Sequence, residues 1–139
     1  MQTFLPYADF NKSVECLDYR RLGKQRIECK QILKILLNQT ESKAWHNHPA
    51  TKMWRGYEGA LASYGEAVCK EWIKRGYKDG QFDYFHFRAV CLPNKLPPWL
   101  GNKEFHEAHR SNLLRKDKDY YSMYGWNEPN DLPYIWPIK

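Results

Sequence analysis

Apolar residues recur at three- and four-residue steps over most of this chain, and that period commits it to helices. Between about Ala50 and Arg75, the residues Met53, Tyr57, Ala60, Leu61, Tyr64, Val68 and Trp72 form one wide apolar stripe, and Gly76 supplies a stop. A stripe of that width must be buried against a neighbour. A second helical stretch runs from about Lys12 to Asn38, with Asp9, Asn11 or Ser13 as N-cap and Gly23 as its interior breaker. A third starts after Asn102, which can cap it, and continues through Phe105, His109, Leu113 and Lys116. Residues 77 to 101 have no helical period. Short strand or irregular structure is expected there, with Phe82 to Val90 ambiguous. The Pro-punctuated end, GWNEPNDLPYIWPIK, is expected to lie extended over the body, anchored by Trp126, Tyr134 and Trp136. The predicted fold class is therefore mainly α: one compact domain over residues 1–139, of three main helices with irregular, aromatic-rich loops and an extended C-terminal tail.

A content of 42% hydrophobic and 27% charged residues sets the chain apart from disordered sequences. Lys and Arg outnumber Asp and Glu by 22 to 16, a net +6 that favours a polyanionic partner. Aromatic residues reach 16%, and such rings either fill the core or stack on bases. Cys16, Cys29, Cys69 and Cys91 form neither CxxC pairs nor a dense framework, so they read as reduced core thiols of a cytoplasmic protein. The start MQTFLPYADF lacks the pattern of a signal peptide, and no apolar run is long enough to span a membrane.

The first helical stretch carries the most informative constellation. Val14, Leu22, Cys29, Ile32, Leu33 and Leu36 share the side that faces the protein, and Asp18, Arg21, Gln25 and Glu28 fall in the middle of it. Polar groups on a core-facing stripe are costly without partners. These four form either an internal charge network or the floor of a cleft. The outer side carries Arg20, Lys24, Lys30 and Lys34, which alone would be a solvated face; of the basic residues on this helix, Arg20, Lys24 and Arg26 are the expected contacts for phosphate. In the third stretch Phe105, His109, Asn112 and Lys116 share a face, with His106 and Leu113 at its margin and Arg110 and Arg115 beside them. Each histidine alone fits a core ring bonded to a carbonyl; the combination fits phosphate contacts near a helix N-terminus. His46 and His48 lack further ligands at fixed spacing, so no metal is expected. Phosphate-loop, dinucleotide-binding and serine-hydrolase motifs are missing as well.

Several pieces in order resemble one family. These are Asp18-Tyr19-Arg20, the run Cys69-Lys70-Glu71-Trp72-Ile73-Lys74-Arg75-Gly76-Tyr77, His106-Glu107-Ala108, and Tyr120-Tyr121 with Tyr124-Gly125 beyond. Together they resemble the pyrimidine-dimer DNA glycosylases, the endonuclease V of phage ultraviolet repair, as a divergent member. The resemblance implies a small helical enzyme of double-stranded DNA, monomeric and without cofactor, that flips a nucleotide from the stack. It also implies an N-terminal α-amine that attacks the sugar C1′, assisted by a glutamate of the first helix, with β-elimination to follow. An α-amine suits the task because its pKa lies about 2.5 units below that of lysine.

In register with Tyr19-Arg20, that glutamate falls at Arg21, so Glu28 or Asp18 is the carboxylate expected to serve. Gln2 is bulky enough to keep Met1 in place, which makes the Met1 amine the expected nucleophile, with Lys24 as a substitute. The expected catalytic set is Met1, Asp18, Arg21, Gln25 and Glu28. The expected DNA contacts are Arg20, Lys24, Arg26, His106, His109, Arg110, Arg115 and Lys116, with Trp45, Trp54 and Trp99 as stacking candidates. The rival readings are a non-catalytic nucleic-acid-binding module on this scaffold and a small-molecule-binding helical domain.

Overall fold

The computed structural model describes residues 2–41 and 43–137, and the regular secondary structure among them is entirely helical. Seven helices follow in order: α1 (Phe10–Glu15), α2 (Tyr19–Leu36), α3 (Pro49–Lys52), α4 (Glu58–Lys74), α5 (Phe82–Cys91), α6 (Lys103–Lys116) and α7 (Lys118–Tyr121), with a 3-10 turn at Ser122–Tyr124. None of the described helices is long and apolar enough to cross a membrane.

The first expected helix is two helices, because Asp18 serves better as a cap than as an interior residue. In extended conformation its carboxylate accepts the backbone N–H of Arg21 at 3.4 Å and opens α2. The second stretch also divides. The His48 ring accepts the Ala50 N–H at 3.0 Å, Pro49 starts α3, and the chain turns at Gly56 before α4. The ambiguous run from Phe82 is helical, and packing decides it: α5 seats Phe85 on α4 where Gly65 leaves room. A Cβ on Gly65 would stand 2.3 Å from Phe85 Cδ1. Helix α6 begins where expected, with Asn102 Oδ1 accepting the Phe105 N–H at 2.9 Å.

The KRGY segment turns out to be a joint between helices. Gly76 (φ +93°) returns its N–H to Ile73 O at 2.9 Å, Tyr77 returns its own to Trp72 O at 3.2 Å, and the Trp72 and Tyr77 rings stack at 4.2 Å. Beside it, the Arg75 guanidinium donates to the last carbonyls of α1, Glu15 O at 3.0 Å and Val14 O at 3.4 Å.

One buried cluster, which includes Trp54, Tyr64, Phe85, Phe105, Leu113 and Tyr121, takes residues from all seven helices. Trp54 and Trp99 belong to it and are not available for stacking on a base. Their indoles donate to Thr3 Oγ1 and Met53 O, each at 3.1 Å. Cys16, Cys29 and Cys69 are buried free thiols; Cys91, expected in the core, is exposed at the end of α5.

Residues 2–6 run through this core as an extended segment, and side chains satisfy its backbone. Gln25 Nε2 donates to Gln2 O at 2.7 Å, while Gln25 Oε1 accepts the Phe4 N–H at 3.0 Å. Tyr64 donates its O–H to Phe4 O at 2.5 Å. The Leu5 N–H reaches His109 Nδ1 at 2.9 Å, Leu5 O accepts from His106 Nδ1 at 2.7 Å, and Pro6 O accepts from Arg110 at 2.7 Å. A buried segment outside any helix or sheet would otherwise leave these groups orphaned.

Candidate active site

The polar residues of α2 open onto a pocket of about 780 Å³. It is lined by Arg21, Lys24, Gln25 and Glu28 of α2, by Gln2 and Phe4 of the N-terminal segment, by Lys116, Asp117 and Tyr120, and by Tyr134 and Trp136 of the tail. The volume lies within the range of small-ligand sites and suits a nucleotide-sized group. Helical spacing explains the floor: residues 21, 25 and 28 stand one above another at steps of four and three.

The two candidate carboxylates differ in how far they are committed. Asp18 is buried, takes the Tyr121 O–H in a very short hydrogen bond, and accepts from the Arg21 backbone and from its guanidinium at 3.2 Å. Tyr121 also accepts the Asp18 N–H at 3.0 Å, so Asp18 lines the pocket with its carboxylate already committed to Tyr121 and Arg21. Burial and the Asp18 carboxylate both push the Tyr121 hydroxyl well above the usual phenol range, which keeps it a donor. Glu28 lies half-buried on the pocket wall, where its Oε2 accepts the Gln2 N–H at 3.2 Å. That contact ties the start of the described chain to the carboxylate. Met1 lies outside the described residues.

Gln25 is fully buried and engaged with Gln2, Phe4 and Tyr64, where it positions the N-terminal segment beside the pocket. Arg21 lines the pocket with its side chain 24% exposed, still paired to Asp18. Arg20, Lys24 and Lys116 also reach the pocket, as expected of basic groups facing an anion. The Lys116 ammonium is held below the usual lysine range, first by desolvation and then by Arg21, Arg115 and Lys24. Mutual repulsion of this kind is relieved when an anion enters.

The remaining expected DNA contacts stand elsewhere and do other work. His109 is fully buried, accepts the Leu5 N–H, and has a pKa pushed down to about 3 by burial. His106 donates from Nδ1 to Leu5 O and accepts the Gly101 N–H on Nε2 at 2.9 Å, an arrangement that fixes the neutral ring. Neither ring can meet a phosphate, because both are spent on the N-terminal segment. Arg110 bridges Pro6 O and Glu128, the latter at 2.5 Å, and Arg26 pairs with Asp79 at 2.6 Å beneath the Trp72 ring. Arg115 is exposed and donates to Asn130 O at 3.3 Å, holding the tail. What the sequence reading missed in the lining are Gln2, Phe4 and Tyr120 beside the expected residues; His48, outside the lining, meets the Trp136 ring edge-on at 5.8 Å. Among the described residues no three His, Cys, Asp or Glu side chains gather as a metal site.

Comparison with known proteins places residues 1–84 in the family described as pyrimidine dimer DNA glycosylase. The matched stretch contains α1 to α4 and the whole α2 floor with Glu28, whereas Lys116, Tyr120, Tyr134 and Trp136 lie beyond it. No curated protein and no solved structure matches the chain.

Proposed function

Because the chain belongs to the pyrimidine dimer DNA glycosylase family, its substrate is DNA, and we propose that the α2 pocket receives the deoxyribose of a damaged pyrimidine nucleotide rotated out of the duplex. In this reading the Met1 α-amine attacks C1′ and displaces the base, which leaves with the glycosidic electron pair. Glu28 takes the proton released from the amine nitrogen and returns it to O4′ as the sugar ring opens to an imine. The carboxylate so regenerated takes a C2′ proton, which expels the 3′ phosphate by β-elimination and severs the strand, the lyase step of the same proposal. Lys24, Arg20, Arg21 and Lys116 hold the flanking phosphates, and Asp18 keeps Arg21 in place.

The observation that carries this reading is the hydrogen bond from Gln2 N–H to Glu28 Oε2. That bond holds the Glu28 carboxylate against the first described peptide N–H, which supports a role for it beside the proposed nucleophile. The carboxylate sits two helical turns beyond the position the family resemblance gave it, and the N-terminal segment runs to where it now stands. The test is borohydride trapping on ultraviolet-irradiated and abasic duplexes, followed by peptide mapping. An adduct on residue 1 is expected, and an adduct on Lys24 would transfer the nucleophile's role. Glu28→Gln is expected to lower base release on the order of 100-fold or more with folding intact. Undiminished release removes Glu28 from the mechanism.

One observation favours the rival, a DNA-binding module without chemistry: Arg21, paired with Asp18, occupies the position where the resemblance puts the glutamate. Binding to irradiated duplex with neither base release nor nicking would establish it.

A further inference from the structure

The loop before α3 carries an aromatic side chain that packing does not explain. Trp45 is 51% exposed, and its backbone lies in the left-handed region at φ +68°. A bulky L-residue adopts that conformation at a cost, and Gly or Asn would hold it more easily. Indoles are usually drawn inward, as Trp54 and Trp99 are here. A strained position that keeps a large ring in water points to use at a surface.

The ring is also part of a series that leads into the pocket. Trp45 meets His48 edge-on at 5.3 Å between centroids, His48 meets Trp136 at 5.8 Å, and Trp136 lines the pocket wall. His48 is anchored in turn by the Ala50 N–H, so the series rests on the start of α3. Lys43, Lys52 and Arg55, near it in the chain, are exposed and basic, which suits a phosphate backbone passing along this rim. An exposed indole on a basic stretch of chain is a combination that binds unpaired bases, because every base has a stacking face.

We propose that Trp45 is a stacking shelf for an unpaired nucleobase of the bound DNA, set beside the pocket and joined to it through His48 and Trp136. The occupant is the base left without a partner when a neighbouring nucleotide is rotated out, so the inference rests on the reading given under Proposed function. It adds a contact that selects opened DNA over intact duplex.

The test compares wild type, W45N and W45F for affinity to two short duplexes: one undamaged, and one carrying a tetrahydrofuran abasic analogue, which is not a substrate. Base release from irradiated duplex by the wild type is measured in parallel. Loss of one base–aromatic stack is expected to weaken W45N binding to the abasic duplex by about 5- to 100-fold and to leave the undamaged duplex within about 2-fold. W45F retains most of the preference. The melting temperature of W45N is expected to hold or rise, since Asn relieves the backbone; a structural tryptophan would lower it. Equal affinities for the abasic duplex in wild type and W45N, or equal losses on both duplexes, would overturn the shelf. Base release by the wild type together with an unaffected W45N removes the shelf and keeps the glycosylase reading. A selective W45N defect without any base release keeps the shelf and removes the chemistry.

Discussion

Two extended stretches meet at the pocket, and they are held in opposite ways. Residues 2–6 are buried, with backbone groups gripped by Glu28, Gln25, Tyr64, His106, His109 and Arg110. The tail from 127 to 137 is exposed or half-exposed throughout. Its backbone is bonded near Leu132, to Ser111 Oγ at 3.0 Å and Asn112 Nδ2 at 3.1 Å, and beyond that it is held by rings, Tyr134 against His109 and Trp136 at 5.9 and 5.6 Å. The first stretch fixes atoms to within a hydrogen bond. The second places two rings, Tyr134 and Trp136, in the pocket lining with few backbone hydrogen bonds of its own beyond Leu132. The end that meets Glu28 is thus held by directional bonds, and the end that brings the tail rings to the pocket mostly by ring contacts.

The largest effect expected from that contrast is acid sensitivity of the N-terminal lock. The folded His109 resists protonation down to about pH 3, whereas the unfolded ring takes a proton near pH 6.5. The unfolded state binds more protons between those values, so stability falls as pH drops through the window, by about 4 kcal/mol at pH 3. Urea unfolding measured from pH 7 to 4 should show this slope, and His109→Asn should flatten it. A wild-type curve that stays flat would mean that the lock is not a closed, dry site.

Next comes Gln25→Leu, which strips partners from Gln2 O, the Phe4 N–H and Tyr64. We expect about 3 kcal/mol of destabilisation by urea unfolding, from several buried polar groups left unpaired. The double change Tyr134→Ala with Trp136→Ala should cost less, about 1–2 kcal/mol, because both rings are only partly covered. Its DNA affinity should fall about 10-fold or more if those rings cover the substrate. Were the tail change to cost as much stability as Gln25→Leu, the distinction between a fixed end and an adjustable one would fail. Smallest in stability is Lys116→Gln, within about 0.5 kcal/mol of wild type. A plot of log affinity against log salt should lose about one unit of slope for it, the share of one phosphate contact.

The site floor was legible because helical spacing alone stacks Arg21, Gln25 and Glu28, and the start of α6 because Asn102 is a strong cap. The break at Asp18 was not, since Asp18 follows an apolar run that continues the same period, and its worth as a cap depends on Tyr121, 103 positions away. The role of His106 and His109 was hidden for the same reason: their partners lie in the first six residues. Residue type suggested phosphate, while burial assigned both rings to the backbone of Leu5. Composition offered Trp45, Trp54 and Trp99 as equals, and only the fold separates the exposed ring from the two sunk in the core. Helix α5 was undecided because its aromatic run fits either period, and Gly65 on another helix settles it.

The long reach of the N-terminal lock also bears on how the protein is made. Leu5 is secured by residues 104 and 101 positions later, so the opening residues emerge from the ribosome without the groups that will hold them. Such distant contacts close late. The N-terminal segment therefore has no home on a nascent chain, and the pocket it helps to line can form only after α6 has been synthesised and released.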